Sequence, residues 1–140
     1  MLKNINTLLS PELLKILCEM GHGDEIVIAD ANFPSKSLAK SLVRADGIKG
    51  EAMLDAVLSV IPLDSYVKDS FVLMSPEPND ELDKNLIEGY TNILTKYEAE
   101  IEATYISRHE YYERAKKAYA VISTGEITKY ANIILKKGVL

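Results

Sequence analysis

Apolar positions along the chain fall into two rhythms, a helical spacing of three and four and short unbroken runs. Leu13, Leu14, Leu17 and Met20 keep the helical spacing behind Ser10-Pro11-Glu12, which offers a cap, a first-turn proline and an early acid. Gly21 suits the stop, so a helix is predicted over 10–20. The run over 25–29 predicts a buried strand. Residues 33–37 read as a loop, and 42–44 as a short strand ending in the turn Ala45-Asp46-Gly47. Apolar residues at 53, 54, 57, 58 and 61 predict an amphipathic helix over 50–61, closed by Pro62. A strand at 71–74 leads into the proline-rich loop Ser75-Pro76-Glu77-Pro78, after which Asn79 is the expected cap of a long helix over 80–97. A strand over 104–106, a helix over 110–117 and strands over 119–123 and 130–135 complete the series. Strands alternating with helices predict one α/β domain over 1–140, with a mainly parallel sheet flanked by helices.

Composition narrows the partners. A hydrophobic share of 47% in 140 residues is enough for a real core and argues against disorder. The net charge is −5, and the lysines are scattered apart from Lys116-Lys117 and Lys136-Lys137, which argues against nucleic acid. The single cysteine, Cys18, has no partner for a disulfide or a metal motif. The N-terminus lacks the apolar core of a signal peptide and no run approaches membrane-spanning length, so a cytoplasmic protein is expected. The chain has no GxGxxG, Walker-type, HExxH or GxSxG motif, so nucleotide, zinc and serine-hydrolase chemistries find no support.

Candidate chemistry gathers at Gly21-His22-Gly23-Asp24 and at Asp30, where the first strand runs into Ala31-Asn32-Phe33-Pro34. The carboxyl ends of strands in an open α/β sheet are where ligands bind. His22 is near enough in sequence to be expected to fold back toward Asp30, and its flanking glycines permit a tight turn. The plainer reading makes Asp30 a turn cap and His22 a helix-exit residue.

These segments, with Tyr130-Ala131-Asn132-Ile133-Ile134-Leu135-Lys136-Lys137-Gly138-Val139, resemble the family of D-ribose pyranases and L-fucose mutarotases. Ser10-Pro11-Glu12-Leu13-Leu14-Lys15, Arg44-Ala45-Asp46-Gly47 and Tyr112-Glu113-Arg114-Ala115 extend the resemblance over the whole chain. It implies an isomerase without cofactor or metal that interconverts ring forms of a monosaccharide, L-fucose in one branch and D-ribose in the other. It also implies an α/β subunit assembled in rings, a homodecamer of two pentamers, with sites at subunit boundaries. His22 is then the catalytic acid, Asp30 binds the sugar, and Tyr130 and Asn132 line the same pocket. One further sugar contact falls on Arg108, as in the fucose branch, or on His109 after a one-residue slip. The surrounding residues favour Arg108 and the mutarotase, with the pyranase or a non-catalytic sugar-binding module as alternatives. Imidazole titrates near pH 6.5 and suits delivery of a proton to the ring oxygen. Asp30 either orients that imidazole or grips sugar hydroxyls, and Tyr130 and Tyr112 are expected either to stack on the sugar or to supply a phenol for proton transfer.

Overall fold

The computed structural model describes residues 1–140. In chain order the elements are α1 (Pro11–Glu19), β1 (Glu25–Ala29), α2 (Ser35–Leu38), β2 (Leu42–Ala45), α3 (Gly50–Leu58), β3 (Phe71–Met74), α4 (Lys84–Tyr97), β4 (Thr104–Ile106), α5 (Arg108–Lys117), β5 (Ala120–Thr124) and β6 (Ile133–Lys136). Alternate strand residues point to opposite faces of a sheet, and β1 shows the consequence. Ile26 and Ile28 pack into a core of 26 buried residues with Leu13, Leu17, Leu54, Val57 and Leu94 from α1, α3 and α4. Val27 and Ala29 enter a second core of 10 residues with Tyr111 and Ala115 from α5. Burial on both faces explains why β3 and the segments 26–29 of β1 and 120–122 of β5 are unbroken apolar runs rather than alternating ones.

All strands join one sheet in the order β2-β5-β1-β6-β3-β4. β2, β5 and β1 run parallel, as do β3 and β4, and β6 alone is antiparallel to both of its neighbours. The ladder between β1 and β6 pairs Ile28 with Ile133 at one end and Glu25 with Lys136 at the other. Residues just outside β6 therefore lie beside the two opposite ends of β1.

Several element limits differ from the sequence pattern for local reasons. The long helix starts at Lys84 rather than residue 80, because Asp83, not Asn79, caps it by accepting from the N–H groups of Asn85 and Leu86. α5 begins at Arg108, where Ser107 accepts from the Glu110 N–H. The segment expected as loop after Pro34 forms the four-residue helix α2. β6 begins at Ile133, since Tyr130 has φ 61°, a left-handed conformation that a strand cannot hold. No helix is long and apolar enough to cross a membrane.

Candidate active site

Where β1 ends and β6 begins, the antiparallel register sets Asp30 beside Asn132. Asn132 Oδ1 accepts the Asp30 backbone N–H at 2.8 Å, and its amide donates to Asp30 Oδ2 at 2.9 Å. Asp30 Oδ1 accepts the Asn32 N–H at 2.9 Å. Both residues are only 4% exposed. Burial raises the Asp30 carboxyl above the ordinary carboxylate range, and hydrogen bonds from Asn32, Phe33, Asn132 and Ala131 pull against it.

This pair forms the floor of a cavity of about 260 Å³ whose walls include Arg108, Tyr112, Tyr130 and Met74. The left-handed turn at Tyr130 is pinned from behind, where the buried Tyr90 hydroxyl donates to the Ala131 carbonyl at 3.2 Å. The Tyr130 hydroxyl donates to Asp80 Oδ2 at 2.8 Å and accepts the Glu77 N–H at 3.2 Å. That phenol, opposed by burial and helped by Lys129, holds the Asp80 carboxyl below its ordinary range. Arg108, the first residue of α5, donates from Nε to Glu77 Oε1 at 2.7 Å and lies 5.7 Å from the Tyr112 ring centre. Phe33 braces Tyr112 edge-on at 5.3 Å between ring centres. The cavity thus offers a carboxylate, an amide, a guanidinium and a phenol, a set that both accepts from and donates to hydroxyl groups.

His22 lies elsewhere. The turn before β1 is closed by the Gly21 N–H on Asp24 Oδ2 at 2.8 Å, with Gly23 at φ 85°. It presents an imidazole that is 45% exposed, with Nε2 3.1 Å from Asp64 Oδ2 and the ring 5.7 Å from that of Tyr66. The expected fold-back toward Asp30 does not occur, because the two residues flank opposite ends of an extended strand. At about 3.3 Å per residue, β1 alone holds those ends roughly 13 Å apart. Within one chain the structure brings Asp30, Arg108, Tyr130 and Asn132 together and leaves His22 out.

Asp64, Glu77, Asp80 and Lys129, all engaged at one of the two places, stand in no motif of the sequence. Glu77 and Asp80 stand in a proline-flanked loop with no periodicity to mark their orientation. His109, the alternative to Arg108, is exposed on α5 and does not line the cavity.

The sequence profile of the RbsD / FucU transport protein family matches residues 3–140. The L-fucose mutarotase of Haemophilus influenzae is 49% identical over 140 residues, which is 99% of this chain and 97% of that protein. The crystal structure of the fucose mutarotase from Streptococcus pneumoniae in complex with L-fucose superposes with a TM-score of 0.94 at 48% identity, over 99% of each chain. Bacillus subtilis RbsD complexed with D-ribose gives 0.74 at 29% identity, over 100% of this chain and 99% of that one.

Proposed function

The chain belongs to the RbsD / FucU transport protein family, and from that premise we propose that it is an L-fucose mutarotase, an isomerase that interconverts the α and β anomers of the pyranose. The observation that carries this reading is the full-length likeness to L-fucose mutarotases at 48–49% identity. The likeness to the ribose-bound relative is weaker at 29%. Arg108 on the cavity wall agrees with the fucose branch. The cavity, at about 260 Å³, is below the roughly 300–1,000 Å³ of pockets for drug-sized ligands. It suits a single monosaccharide.

Ring opening needs a proton delivered to the ring oxygen and one removed from the anomeric hydroxyl. The carbonyl carbon then rotates, and closure on its other face inverts C1. In this reading Asp30 and Asn132 grip sugar hydroxyls from the floor. Arg108, steadied through Nε by Glu77, turns its terminal nitrogens to the ring. Tyr130 takes the anomeric proton while its own passes to Asp80, along the bond that already joins them. His22 supplies the proton to the ring oxygen. No cofactor or metal enters the scheme.

His22 cannot reach the pocket of its own chain, so the acid comes from a neighbouring copy. Sites at subunit boundaries of a ring meet this need, because a ring interface joins two different surfaces of the subunit. The half-exposed His22 and the Tyr66 ring beside it, 76% exposed, are one such surface. The reading extends to a homodecamer of two pentameric rings in the cytoplasm.

Saturation-transfer NMR on equilibrated L-fucose and D-ribose tests the assignment. Catalytic amounts of protein are expected to transfer saturation between the fucose anomers, and His22→Gln to abolish that transfer with assembly retained. Pyranose–furanose exchange in ribose alone would make the protein a pyranase. Saturable fucose binding without exchange would make it a binding module.

A further inference from the structure

Glu126 is a carboxylate only 6% exposed that does not line the cavity. It stands in the segment that joins β5 to β6 and carries Tyr130 and Asn132. That segment straddles Asp30. The Thr124 hydroxyl, at the end of β5, donates to the Ala29 carbonyl at 2.7 Å, and the Ala31 N–H donates to the Glu126 carbonyl at 2.7 Å. The Glu126 N–H donates in turn to Thr124 Oγ1 at 3.2 Å. Behind the segment lies the turn after β2, where the Gly125 N–H donates to the Ile48 carbonyl at 2.8 Å. A Cβ on Gly125 would overlap the Asp46 carbonyl, so the turn Ala45-Asp46-Gly47 closes on the segment backbone to backbone.

The two carboxylate oxygens of Glu126 reach in different directions. Oε1 accepts the Thr128 N–H at 3.0 Å and the Thr128 hydroxyl at 2.8 Å. Oε2 accepts the Gly50 N–H, the first of α3, at 3.4 Å. Lys49 holds the cap position of that helix and supplies no side-chain bond, so the carboxylate answers an open donor and the positive end of the helix dipole. Burial alone would raise the Glu126 carboxyl, but the Thr128 and Gly50 donors with the Lys49 ammonium outweigh it and hold the group below its ordinary range. Gly50 is also where Tyr90 crosses. A Cβ there would overlap the Tyr90 hydroxyl, which is bonded to the Ala131 carbonyl at 3.2 Å. Tyr130 thus lies between two anchors, Thr128 on Glu126 and Ala131 on Tyr90. A left-handed backbone outside glycine persists only where its surroundings over-determine it, and Tyr130 at φ 61° meets that condition from both sides. We propose that Glu126 is a positioning residue for Tyr130: it clamps the segment to α3 and so sets the phenol against the anomeric hydroxyl. This rests on the reading of Tyr130 as the group that takes the anomeric proton.

The test follows fucose anomer exchange over a range of fucose concentrations in the assembled protein, Glu126→Gln, Tyr130→Phe and the double variant. Glu126→Gln keeps the size of the side chain and removes its charge. Its kcat is expected to fall about 10- to 10²-fold, because a displaced proton acceptor slows the chemistry. KM should change little, since Asp30, Asn132 and Arg108 still grip the sugar. In the Tyr130→Phe background the same substitution is expected to cost less than about twofold, because the group it positions is gone. A merely structural role would thin the active population equally in both backgrounds. The placement itself is read by ¹⁹F NMR of fluorotyrosine-labelled protein, with the Tyr130 signal assigned by its loss in Tyr130→Phe. That signal is expected to move or broaden in Glu126→Gln. An undiminished kcat in a folded Glu126→Gln, losses that multiply in the double variant, or an unmoved Tyr130 signal would overturn the role of Glu126. Should Glu126→Gln fail to fold, Thr128→Val, which removes the hydroxyl bonded to Oε1, decides in its place: a lower kcat supports the clamp and an unchanged one overturns it. Full exchange in Tyr130→Phe overturns the proton-transfer reading instead, and the ¹⁹F signal still reports whether Glu126 holds the Tyr130 turn.

Discussion

Asp30 sits where burial and charge oppose each other. Removal from water raises its carboxyl above the ordinary value of 3.8, and the hydrogen bonds around it are what keep the anion tolerable. The sign follows directly: a raised carboxyl binds its proton more tightly in the folded state, so ionisation at this site costs stability as pH rises through the carboxylate range. Asn132→Ala removes the amide donor to that anion and leaves the Asp30 N–H without its 2.8 Å acceptor. A loss of about 2–4 kcal/mol is expected in denaturant unfolding. The loss should be larger at pH 7 than at pH 3, because only the anion needs the amide fully. Equal losses at both pH values would mean that the carboxylate does not depend on Asn132. Tyr130 poses a different question, since its hydroxyl both donates to Asp80 and accepts from Glu77. Tyr130→Phe keeps the ring. If the phenol relays the anomeric proton, fucose exchange should fall about 10²-fold or more while sugar affinity changes little. An affinity loss without a rate loss would reduce Tyr130 to a sugar contact.

Among the elements, β6 explains why a C-terminal motif matters at two remote places. Running antiparallel to β1, it leads from Asn132 beside Asp30 to Lys137 beside the His22 turn. Gly138→Ala should push this strand end off Leu63 and cost about 1–3 kcal/mol in urea unfolding. Its exchange rate should fall as well, because the His22–Asp64 pairing shifts with it, whereas an unchanged rate would show that the pairing tolerates the displacement. The sequence pattern made the strands and most helices legible because their apolar rhythms are strong, as in the runs at 25–29 and 71–74. It could not reveal the direction of β6, since a strand buried on both faces reads the same either way. Asp30, Tyr130 and Asn132, which share one cavity, stood in motifs of the sequence, whereas Arg108 on the same cavity wall came only from the family resemblance, with His109 as its alternative. Asp64 and Asp80 were not, because what orients them is a hydrogen bond to a side chain about forty or more positions away. His22 was legible as a residue but not as a location, since nearness in sequence across a strand is distance in space.

For the whole molecule, the separation of His22 from Asp30 decides what kind of site this is. If His22 is the acid, one subunit carries the cavity and the acid at separate places, so a copy in isolation should be inert however well it folds. A heterologous ring interface would join the His22 face of one copy to the pocket of the next, making each junction draw on two chains. This predicts complementation between inactive variants. His22→Gln retains its pocket, and Asp30→Asn retains its acid. Either alone should show almost no fucose exchange. Rings assembled from an equal mixture should have about a quarter of their junctions intact, with His22 from an Asp30→Asn copy and the pocket from a His22→Gln copy. About a quarter of the unsubstituted rate should therefore return after co-expression, or after joint unfolding and refolding. Mixing preformed rings that do not exchange subunits should restore nothing, which ties recovery to shared junctions rather than to chemistry in solution. A site built within one chain predicts the opposite, since no mixture of the two variants would contain a chain with both residues. Persistent inactivity of mixed rings, with their mixed composition verified by native mass spectrometry, would return His22 to a structural role at the start of β1.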